Sequence, residues 1–190
     1  MAQHIIFEGA ELSGKSWVMS QIYNTLEPKY ASSPNLLDGC YWFNCDLGFF
    51  GTKFAQKIMK NYLRIFKTLK EKNILVEKFH LSNFVYSQIN NIPVSDFSAQ
   101  EKKLKKQNFK IVLLTFPEDE ALLAKRLQDR LNLYPNYKRI AKTPSDYIKQ
   151  QAIYKQKIKD SSLDYLIVEV GSFPSTEAIG TIQDWIGEGR

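Results

Sequence analysis

A glycine-rich segment near the start of the chain, Gly9-Ala10-Glu11-Leu12-Ser13-Gly14-Lys15-Ser16, matches the Gly-x-x-x-x-Gly-Lys-Ser pattern of a phosphate-binding loop. The apolar run Ile5-Ile6-Phe7 before it predicts a buried strand. Apolar residues at helical spacing from Trp17 to Leu26 predict a helix after it. The pattern therefore stands in the strand–loop–helix setting that distinguishes a phosphate loop from a chance match in a turn.

Each part of this loop has a chemical reason. Gly9 and Gly14 allow backbone conformations that other residues rarely adopt, so the chain can approach a phosphate closely. The N–H groups of the loop and of the following helix N-terminus point together at the anion. In such loops the lysine, here Lys15, reaches the β- and γ-phosphates, and the hydroxyl of Ser16 ligates Mg²⁺. The loop therefore predicts a nucleoside triphosphate, expected to be ATP, together with Mg²⁺.

The composition is that of an ordinary globular protein. Of the 190 residues, 44% are hydrophobic and 24% are charged, which is enough for one full core. The formal charge of +6 suits an anionic substrate but is too small to argue for nucleic acid alone. We find no signal-peptide pattern and no apolar run of the roughly 18 residues that span a bilayer, so we expect a cytoplasmic protein without a membrane contact. Cys40 and Cys45 have no further ligands nearby in the sequence, which favours buried thiols over zinc.

The remaining apolar patterns alternate between strand and helix. Strands are predicted at 41–43, 73–77, 110–116 and 165–168, and helices at 53–72, after 78, and at 100–107, 118–130, 146–160 and 175–186. Such alternation predicts an α/β fold of the three-layer P-loop NTPase type, with a five-stranded parallel sheet covered on both faces. We expect residues 1–190 to form a single domain in which the polar segment at about 131–145 is a small lid.

Acidic residues stand at or just after the ends of three predicted strands. Ligands in parallel α/β folds bind at the carboxyl ends of strands. Those ends deliver Glu8, Asp46 and Glu77 next to the phosphate loop. Carboxylates at a predicted anion site suggest magnesium or proton chemistry.

Small-molecule kinases remain once two other classes are set aside. A GTPase would carry an Asn-Lys-x-Asp motif after a late strand, which this chain lacks, and a motor ATPase needs a longer chain. The run from Phe7 to Ser16 resembles the thymidylate kinase loop Phe-Glu-Gly-x-Asp-Gly-x-Gly-Lys-Ser/Thr. The run from Glu77 to Tyr86 is similar to that family's Asp-Arg-Tyr-x-x-Ser-x-x-Ala-Tyr. The glutamate that begins this run resembles the glutamate of the Glu-Arg-Ser motif of deoxynucleoside kinases. Further similarities lie in Pro117-Glu118 with Arg126 and Arg130, which resemble the entry to the lid, and in 146–154, which resembles the helix after it.

The resemblance implies transfer of the γ-phosphoryl group of ATP to a nucleoside monophosphate, most like thymidylate kinase. It implies that Glu77 supports Mg²⁺ on Ser16 through water, and that 172–174 border adenine. Arg126 and Arg130 would lie near the donor once the lid closes. The implied donor-binding set is Gly9, Ala10, Glu11, Leu12, Ser13, Gly14, Lys15, Ser16 and Arg126. The implied catalytic set is Lys15, Glu11, Asp46, Glu77, Lys78, Arg126 and Arg130.

The acceptor is assigned to Asp46, Phe79, Ser82 and Tyr86. Asp46 could act as a general base toward a neutral nucleoside, and Glu11 could hold the acceptor hydroxyl or its sugar. For both acids, capping or solvating a loop is an equal alternative. Phe79 and Tyr86 also fit a place in the core, and the two arginines of the lid entry also fit exposed surface ion pairs.

The chain departs from the family pattern at Glu11, Leu12 and Lys78, where the family has Asp, often Gly, and Arg. Lysine keeps the charge but loses the planar two-point grip of arginine. Arg64 is the sole candidate to clamp a monophosphate after 53–62.

Three functions therefore stay open. The first is a kinase of a nucleoside monophosphate or a deoxynucleoside, the second is a kinase acting on a modified base or an end in DNA, and the third is a nucleotide-binding module without turnover. The expected partner is a nucleotide or nucleoside. Nucleic acid is allowed by the lysine clusters but not favoured, and a homodimer stays open.

Overall fold

The computed structural model of the chain describes residues 2–27, 39–45, 48–94 and 96–187. Its strands are β1 (His4–Glu8), β2 (Cys40–Asn44), β3 (Asn73–Glu77), β4 (Phe109–Thr115) and β5 (Tyr165–Glu169). Its helices are α1 (Lys15–Leu26), α2 (Ala55–Thr68), α3 (His80–Ile89), α4 (Ser98–Lys106), α5 (Glu120–Leu133), α6 (Pro144–Lys157) and α7 (Thr176–Gly187). Two short 3-10 helices, Pro135–Arg139 and Ile158–Asp160, follow α5 and α6.

The five strands form one parallel sheet in the order β2-β3-β1-β4-β5. Ile6 of β1 lies opposite Val76 of β3 and Ile111 of β4, and Phe7 lies opposite Glu77. The carboxyl ends of β1 and β3 therefore meet beside the phosphate loop. This arrangement confirms the predicted parallel α/β fold.

Alternate side chains of the central strands feed two apolar cores, one on each face of the sheet. Ile6, Val76 and Ile111 pack against α2, α3, α4 and α6, whereas Phe7, Leu75 and Val112 pack against α1 and α7. This alternation follows from the two-residue period of a strand and explains why strands buried on both faces have almost continuous apolar sequences.

The edge strand β5 differs from the prediction that both faces of the sheet are covered. Val168 is buried toward α7, but Tyr165 and Ile167 are exposed. An edge strand borders only one neighbour, so the helices that cover the centre of the sheet leave part of it open.

The segment predicted as a lid, 131–145, contains the end of α5, the first 3-10 helix and the start of α6. Helix α6 begins two residues earlier than predicted because the Thr143 side chain and Asp146 form a capping box, with Pro144 in the first turn. Whether this segment acts as a lid stays a prediction. No helix in the described residues has both the length and the apolar character that a membrane span requires.

Candidate active site

The phosphate loop runs from the end of β1 to the start of α1, with its backbone held in glycine-type conformations. Gly9 has φ of 144° and Gly14 has φ of 82°. A side chain at Gly9 would meet the carbonyl oxygen of Leu114 at 2.4 Å. Leu12, where the resembled family often has glycine, also has a positive φ, 66°. A left-handed conformation costs a non-glycine residue about 1–2 kcal/mol, so this departure introduces local strain in the loop.

Lys15 is buried and turned onto its own loop. Its Nζ atom donates to the carbonyls of Gly9 at 2.9 Å and Ala10 at 2.8 Å. Burial and the positive charge of Lys78 lower the pKa of Lys15 to about 8. The phosphate loop thus holds the Lys15 ammonium group in a site that disfavours its positive charge. A bound anion would favour that charge again.

Ser16 and Glu77 join the loop to the end of β3. The hydroxyl of Ser16 donates to Oε1 of Glu77 at 2.7 Å. A hydroxyl and a carboxylate are hard oxygen ligands, and Mg²⁺ is usually bound by one or two such groups with water and substrate phosphates. The residues present therefore fit a magnesium ion, which Ser16 would ligate with Glu77 close by.

Glu11 and Lys78 form a salt bridge between the phosphate loop and the residue after β3. The hydroxyl of Tyr86 donates to the same carboxylate oxygen of Glu11 at 3.0 Å, and Lys78 Nζ lies 3.2 Å from that hydroxyl. Burial opposes ionisation of Glu11, but the charges of Lys78 and Lys15 outweigh it and lower its pKa to about 2. Glu11 is therefore ionised at neutral pH.

Lys78 itself is only 3% exposed and has φ of 58°. A bulky residue with positive φ is an outlier that occurs most often at functional sites. Its backbone N–H donates to Phe7 of β1 at 2.9 Å, which fixes the backbone where β3 ends.

Glu8, at the end of β1, is completely buried, and its carboxylate is hydrogen-bonded to the start of α3. Its carboxylate accepts hydrogen bonds from the backbone N–H groups of Phe79 and Leu81 at 2.9 and 3.1 Å and from the Ser82 hydroxyl. That hydroxyl also lies 2.7 Å from the hydroxyl of Tyr154. Burial raises the pKa of Glu8. Glu8 caps α3 from within the core, a structural role that its position after a strand did not reveal.

Phe79 and Ser82, which the sequence assigned to the acceptor, both lie in the interior. Phe79 packs in the core with its ring centroid 5.7 Å from that of Phe66. Neither side chain is exposed. The core alternative that the sequence left open for Phe79 therefore describes its place, whereas Tyr86 lines a cavity. Asp46, assigned to catalysis and to the acceptor, lies outside the described residues.

Arg126 ties the phosphate loop to the segment after β5. Its guanidinium donates to the carbonyl of Leu12 at 3.1 Å and to that of Val170 at 2.6 Å, and it stacks 4.7 Å above the ring of Phe173. Phe173 in turn covers Gly14, where an added side chain would lie 2.0 Å from its ring. Arg126 and Phe173 therefore both lie at the phosphate loop, and their role toward the donor stays a prediction.

Arg130, one turn later in α5, lies over the ring of Tyr137 at 4.4 Å. Its Nε atom is buried and has no hydrogen-bond partner among the residues that the structure describes. The hydroxyl of Tyr137 lies 3.2 Å from that of Tyr147, and the latter accepts from the backbone N–H of Lys142 at 2.9 Å. These contacts anchor the predicted lid segment over the site in this structure.

A cavity of about 620 Å³ opens beside the loop, between α3, α6 and the predicted lid segment. Its lining includes Glu11 and Tyr86 from the site and four tyrosine and isoleucine residues of the lid segment and α6. Its polar and charged residues include Asn90, Gln150, Arg139, Lys142, Lys149 and the carboxylate Asp146. A volume of this size is typical of small-molecule sites.

Sequence reasoning missed Gln150 and Gln151 of α6. Gln150 accepts from the backbone N–H of Glu11 at 3.0 Å, and Gln151 makes two hydrogen bonds of 2.8 and 2.9 Å to the backbone of Phe116. They fix α6 against the phosphate loop and the end of β4. Two glutamines in a polar helix carry no signal that distinguishes them from surface residues.

No protein-family model matches the sequence, and no curated protein matches it. Among solved structures, the chain is similar to the YorR protein from Bacillus subtilis, crystallised in complex with phosphorylated GDP. The TM-score is 0.68 at 18% identity, over 98% of this chain and 97% of that one. It is also similar to deoxyadenosine kinase from M. mycoides in two structures, with TM-scores of 0.56 and 0.52 at 12% and 14% identity, each over 99% of this chain and 100% of that one. These likenesses show that the chain has the P-loop kinase fold.

Proposed function

We propose that the protein is a phosphotransferase that moves the γ-phosphoryl group of ATP to a nucleoside monophosphate. The observation that carries this proposal is the position of Glu11. Its backbone belongs to the phosphate loop, and its side chain lines the cavity of about 620 Å³. One residue thus borders both a site for a donor triphosphate and a pocket large enough for an acceptor nucleotide.

The donor is held by the loop. The transition state of phosphoryl transfer is loose and highly charged, so catalysis consists mostly of positioning and electrostatic stabilisation. The loop N–H groups and the N-terminus of α1 bind the β-phosphate. Lys15, on a flexible side chain, turns from the carbonyls of Gly9 and Ala10 to the transferring group. Arg126 and Phe173 form the wall on the base side.

Magnesium, when bound, would neutralise charge on the donor phosphates. The Ser16 hydroxyl would be one of its ligands, and Glu77 would support it through water. The 2.7 Å contact between these two side chains supports this assignment.

The acceptor enters the cavity between α3, α6 and the lid segment. Arg139, Lys142 and Lys149 line that cavity and provide positive charge for a phosphate that the acceptor already carries. Asn90 and Gln150 can hydrogen-bond a base, beside the rings of Tyr86 and Tyr147. Arg64, the arginine that the sequence offered for this task, lines a different cavity.

Glu11 positions the acceptor rather than accepting its proton. An effective general base has a pKa near the working pH, and the pKa of Glu11 is about 2. A monophosphate acceptor presents an oxygen that is already ionised and requires no base. Glu11 is therefore unsuited to be the base that a neutral nucleoside would require.

A deoxynucleoside is the second candidate acceptor, because the chain is similar in fold to a deoxyadenosine kinase whose structure holds the product dCMP. The thymidine class is supported only by the resemblance of sequence motifs. An ADP-release assay with Mg²⁺ across nucleoside monophosphates and deoxynucleosides separates these acceptors.

We expect acceptor-dependent ADP release that falls at least about a hundredfold in Lys15→Ala, the size of effect seen when a transition-state donor is removed. The control Lys57→Ala, which changes an exposed lysine of α2, should retain full activity. ATP binding without ADP release for any acceptor would indicate a nucleotide-binding module instead.

A further inference from the structure

A second cavity lies at the edge of the sheet opposite the phosphate loop, between α2, α4, the amino end of β1 and residues 107–108 before β4. It has a volume of about 730 Å³. Six cationic side chains line it, and we call it the basic groove: Lys60, Arg64, Lys67, Lys70, Lys103 and Lys106. His4, the first residue of β1, is part of its lining, whereas the phosphate loop follows the last residue of that strand. At about 3.3 Å per residue, roughly 15 Å of strand separates the two sites.

The charge of the protein is concentrated in this groove. Six cations and one carboxylate, Glu71, give its lining a formal charge of +5, compared with +6 for the whole chain. The rest of the molecule is therefore nearly neutral. A field of one sign inside a concave surface attracts anions and raises their local concentration.

Neighbouring carboxylates do not neutralise these cations. Lys70 lies 3.5 Å from Glu71. Among the residues that the structure describes, none of the other five cations of the groove forms an ion pair with a carboxylate. Their mutual repulsion is an energetic cost that a multiply charged anion would relieve.

The spacing of the cations follows two helix faces. Lys60, Arg64 and Lys67 are separated by four and three residues on α2, and Lys103 and Lys106 by three residues on α4. Residues at these intervals share one face of a helix. Two cationic helix faces therefore border the same cavity from different sides.

Leu63 and His4 are buried whereas the six cations are exposed, so Leu63, Ala2 and the His4 ring form a mostly apolar floor. The lining also includes the polar residues Gln107 and Asn108. The His4 ring packs on Phe109 with 5.0 Å between centroids. An apolar floor with a cationic rim suits a ligand that has a flat organic part and several negative charges. The described lining includes no tyrosine, tryptophan or phenylalanine, the usual stacking platforms for single-stranded nucleic acid. The volume is that of a small-molecule site.

We propose that the basic groove is a second ligand site, separate from the phosphate loop, that binds a small polyanion of the nucleoside polyphosphate class. The rim cations hold the phosphate chain, and the apolar floor holds the nucleoside. This site does not depend on whether the phosphate loop performs catalysis.

The test counts bound ATP per chain by equilibrium dialysis at low salt, with inorganic tripolyphosphate as a competitor. The groove variant is Lys67→Gln/Lys103→Gln, and its matched control is Lys57→Gln/Lys102→Gln. The control changes the same charges at exposed lysines of the same two helices that do not line the groove. A third protein, Lys15→Ala, weakens the phosphate loop alone.

We expect two ATP molecules per wild-type or control chain and one per groove variant, with the groove affinity reduced at least about tenfold, because two hydrogen-bonding charges toward the phosphates are lost. In Lys15→Ala the ATP that remains should be displaced by tripolyphosphate and lost when the groove substitutions are added. One ATP per wild-type chain, or equal binding by the groove variant and its control, would overturn the proposal. A single-stranded oligonucleotide that binds through the groove while ATP does not would also overturn it and identify nucleic acid as the ligand.

Discussion

The Ser16 hydroxyl donates to the Glu77 carboxylate at 2.7 Å, across 61 residues of sequence. This hydrogen bond joins the first residues of α1 to the end of β3, two elements that the parallel sheet brings together because β1 and β3 are neighbours. It places a hydroxyl and a carboxylate where a magnesium ion of a bound triphosphate would lie. The metal chemistry of the proposed reaction depends on this pair.

Replacing Glu77 by glutamine should weaken the use of Mg²⁺. Glu77→Gln keeps a hydrogen-bond acceptor for Ser16 but removes the negative charge near the metal. Loss of an outer-shell carboxylate lowers metal affinity by roughly 10–100-fold, and we expect the Mg²⁺ concentration for half-maximal activity to rise by that factor. Glu177→Gln, on the exposed surface of α7, should leave the Mg²⁺ titration unchanged. An unaltered titration in Glu77→Gln would remove this residue from the metal site.

The buried ammonium of Lys15 predicts a pH dependence of stability. Its folded-state pKa of about 8 lies below the ordinary value of 10.5, so between these values the unfolded chain binds more protons than the native protein. The contribution of Lys15 to the free energy of unfolding therefore rises with pH between these two values. Below pH 8 the full cost of burying its charge applies.

Urea unfolding of wild type and Lys15→Met at pH 7.5 and 9.5 measures this effect. The free energy of unfolding of the wild type, relative to the variant, should increase by about 2 kcal/mol between the two pH values. Lys57→Met should show no such change relative to the wild type. A constant difference between wild type and Lys15→Met would contradict the lowered pKa.

The salt bridge between Glu11 and Lys78 should appear as a coupling in a double-mutant cycle. Each single variant, Glu11→Gln or Lys78→Met, removes one charge of this pair, and breaking a buried ion pair in this way costs about 3–5 kcal/mol. The double variant removes both charges and should be destabilised by clearly less than the sum. Urea unfolding of the four proteins provides the measurement, and costs that add within about 0.5 kcal/mol would show that the two groups are independent.

The same salt bridge should lose its contribution to stability at low pH. The pKa of Glu11 is lowered from 4.5 to about 2, so its contribution to stability is complete above pH 4.5 and is lost as the pH falls toward 2. Glu11→Gln should lack this part of the acid transition.

Arg126 should be required for donor binding. Arg126→Lys keeps a positive charge, but a single ammonium cannot reproduce the planar group that bonds the carbonyls of Leu12 and Val170 and stacks on Phe173. Lost hydrogen bonds to a charged group, worth about 1.5–3 kcal/mol each, predict at least a tenfold rise in the Kd for ATP by calorimetry. The exposed neighbour Lys125 serves as the control through Lys125→Ala, and equal affinities would show that the arginine has no part in donor binding.

The cations of the acceptor cavity distinguish the two candidate acceptors. Arg139→Gln should raise the KM for a monophosphate acceptor by about 10–100-fold, because a charged contact to its phosphate is lost, and should leave kcat nearly unchanged. Lys138→Gln changes the exposed residue before it, which does not line the cavity. A KM that does not respond to Arg139→Gln would favour an uncharged nucleoside.

The fold was predictable because its signals are local. The spacing of Gly9, Gly14, Lys15 and Ser16 and the continuous apolar run at 110–116 each reflect the chemistry of one short segment. The capping box at Thr143 was equally visible in the sequence and would have corrected the start of α6.

The candidate site was only partly predictable because its contacts join distant segments. Lys78 and Glu11 are 67 residues apart, and nothing in either local sequence shows that they pair. Helical spacing placed Phe79 near Ser82 but could not show that both face the core. They do so because Phe79 N–H and the Ser82 hydroxyl donate to the buried carboxylate of Glu8. Arg139 and Lys142 lay in the predicted polar lid and Lys149 in the predicted polar helix after it, and pattern alone does not distinguish a cavity wall from a solvated surface in either.

Transfer of labelled phosphate tests the central claim most directly. The protein is incubated with Mg²⁺, ATP labelled in its γ-phosphate and each nucleoside monophosphate in turn, and the products are separated by chromatography. The account predicts label in one nucleoside diphosphate with wild type and with Lys57→Ala, and at least a hundredfold less with Lys15→Ala. Label that never leaves ATP for any acceptor, or a yield that does not depend on Lys15, would contradict it.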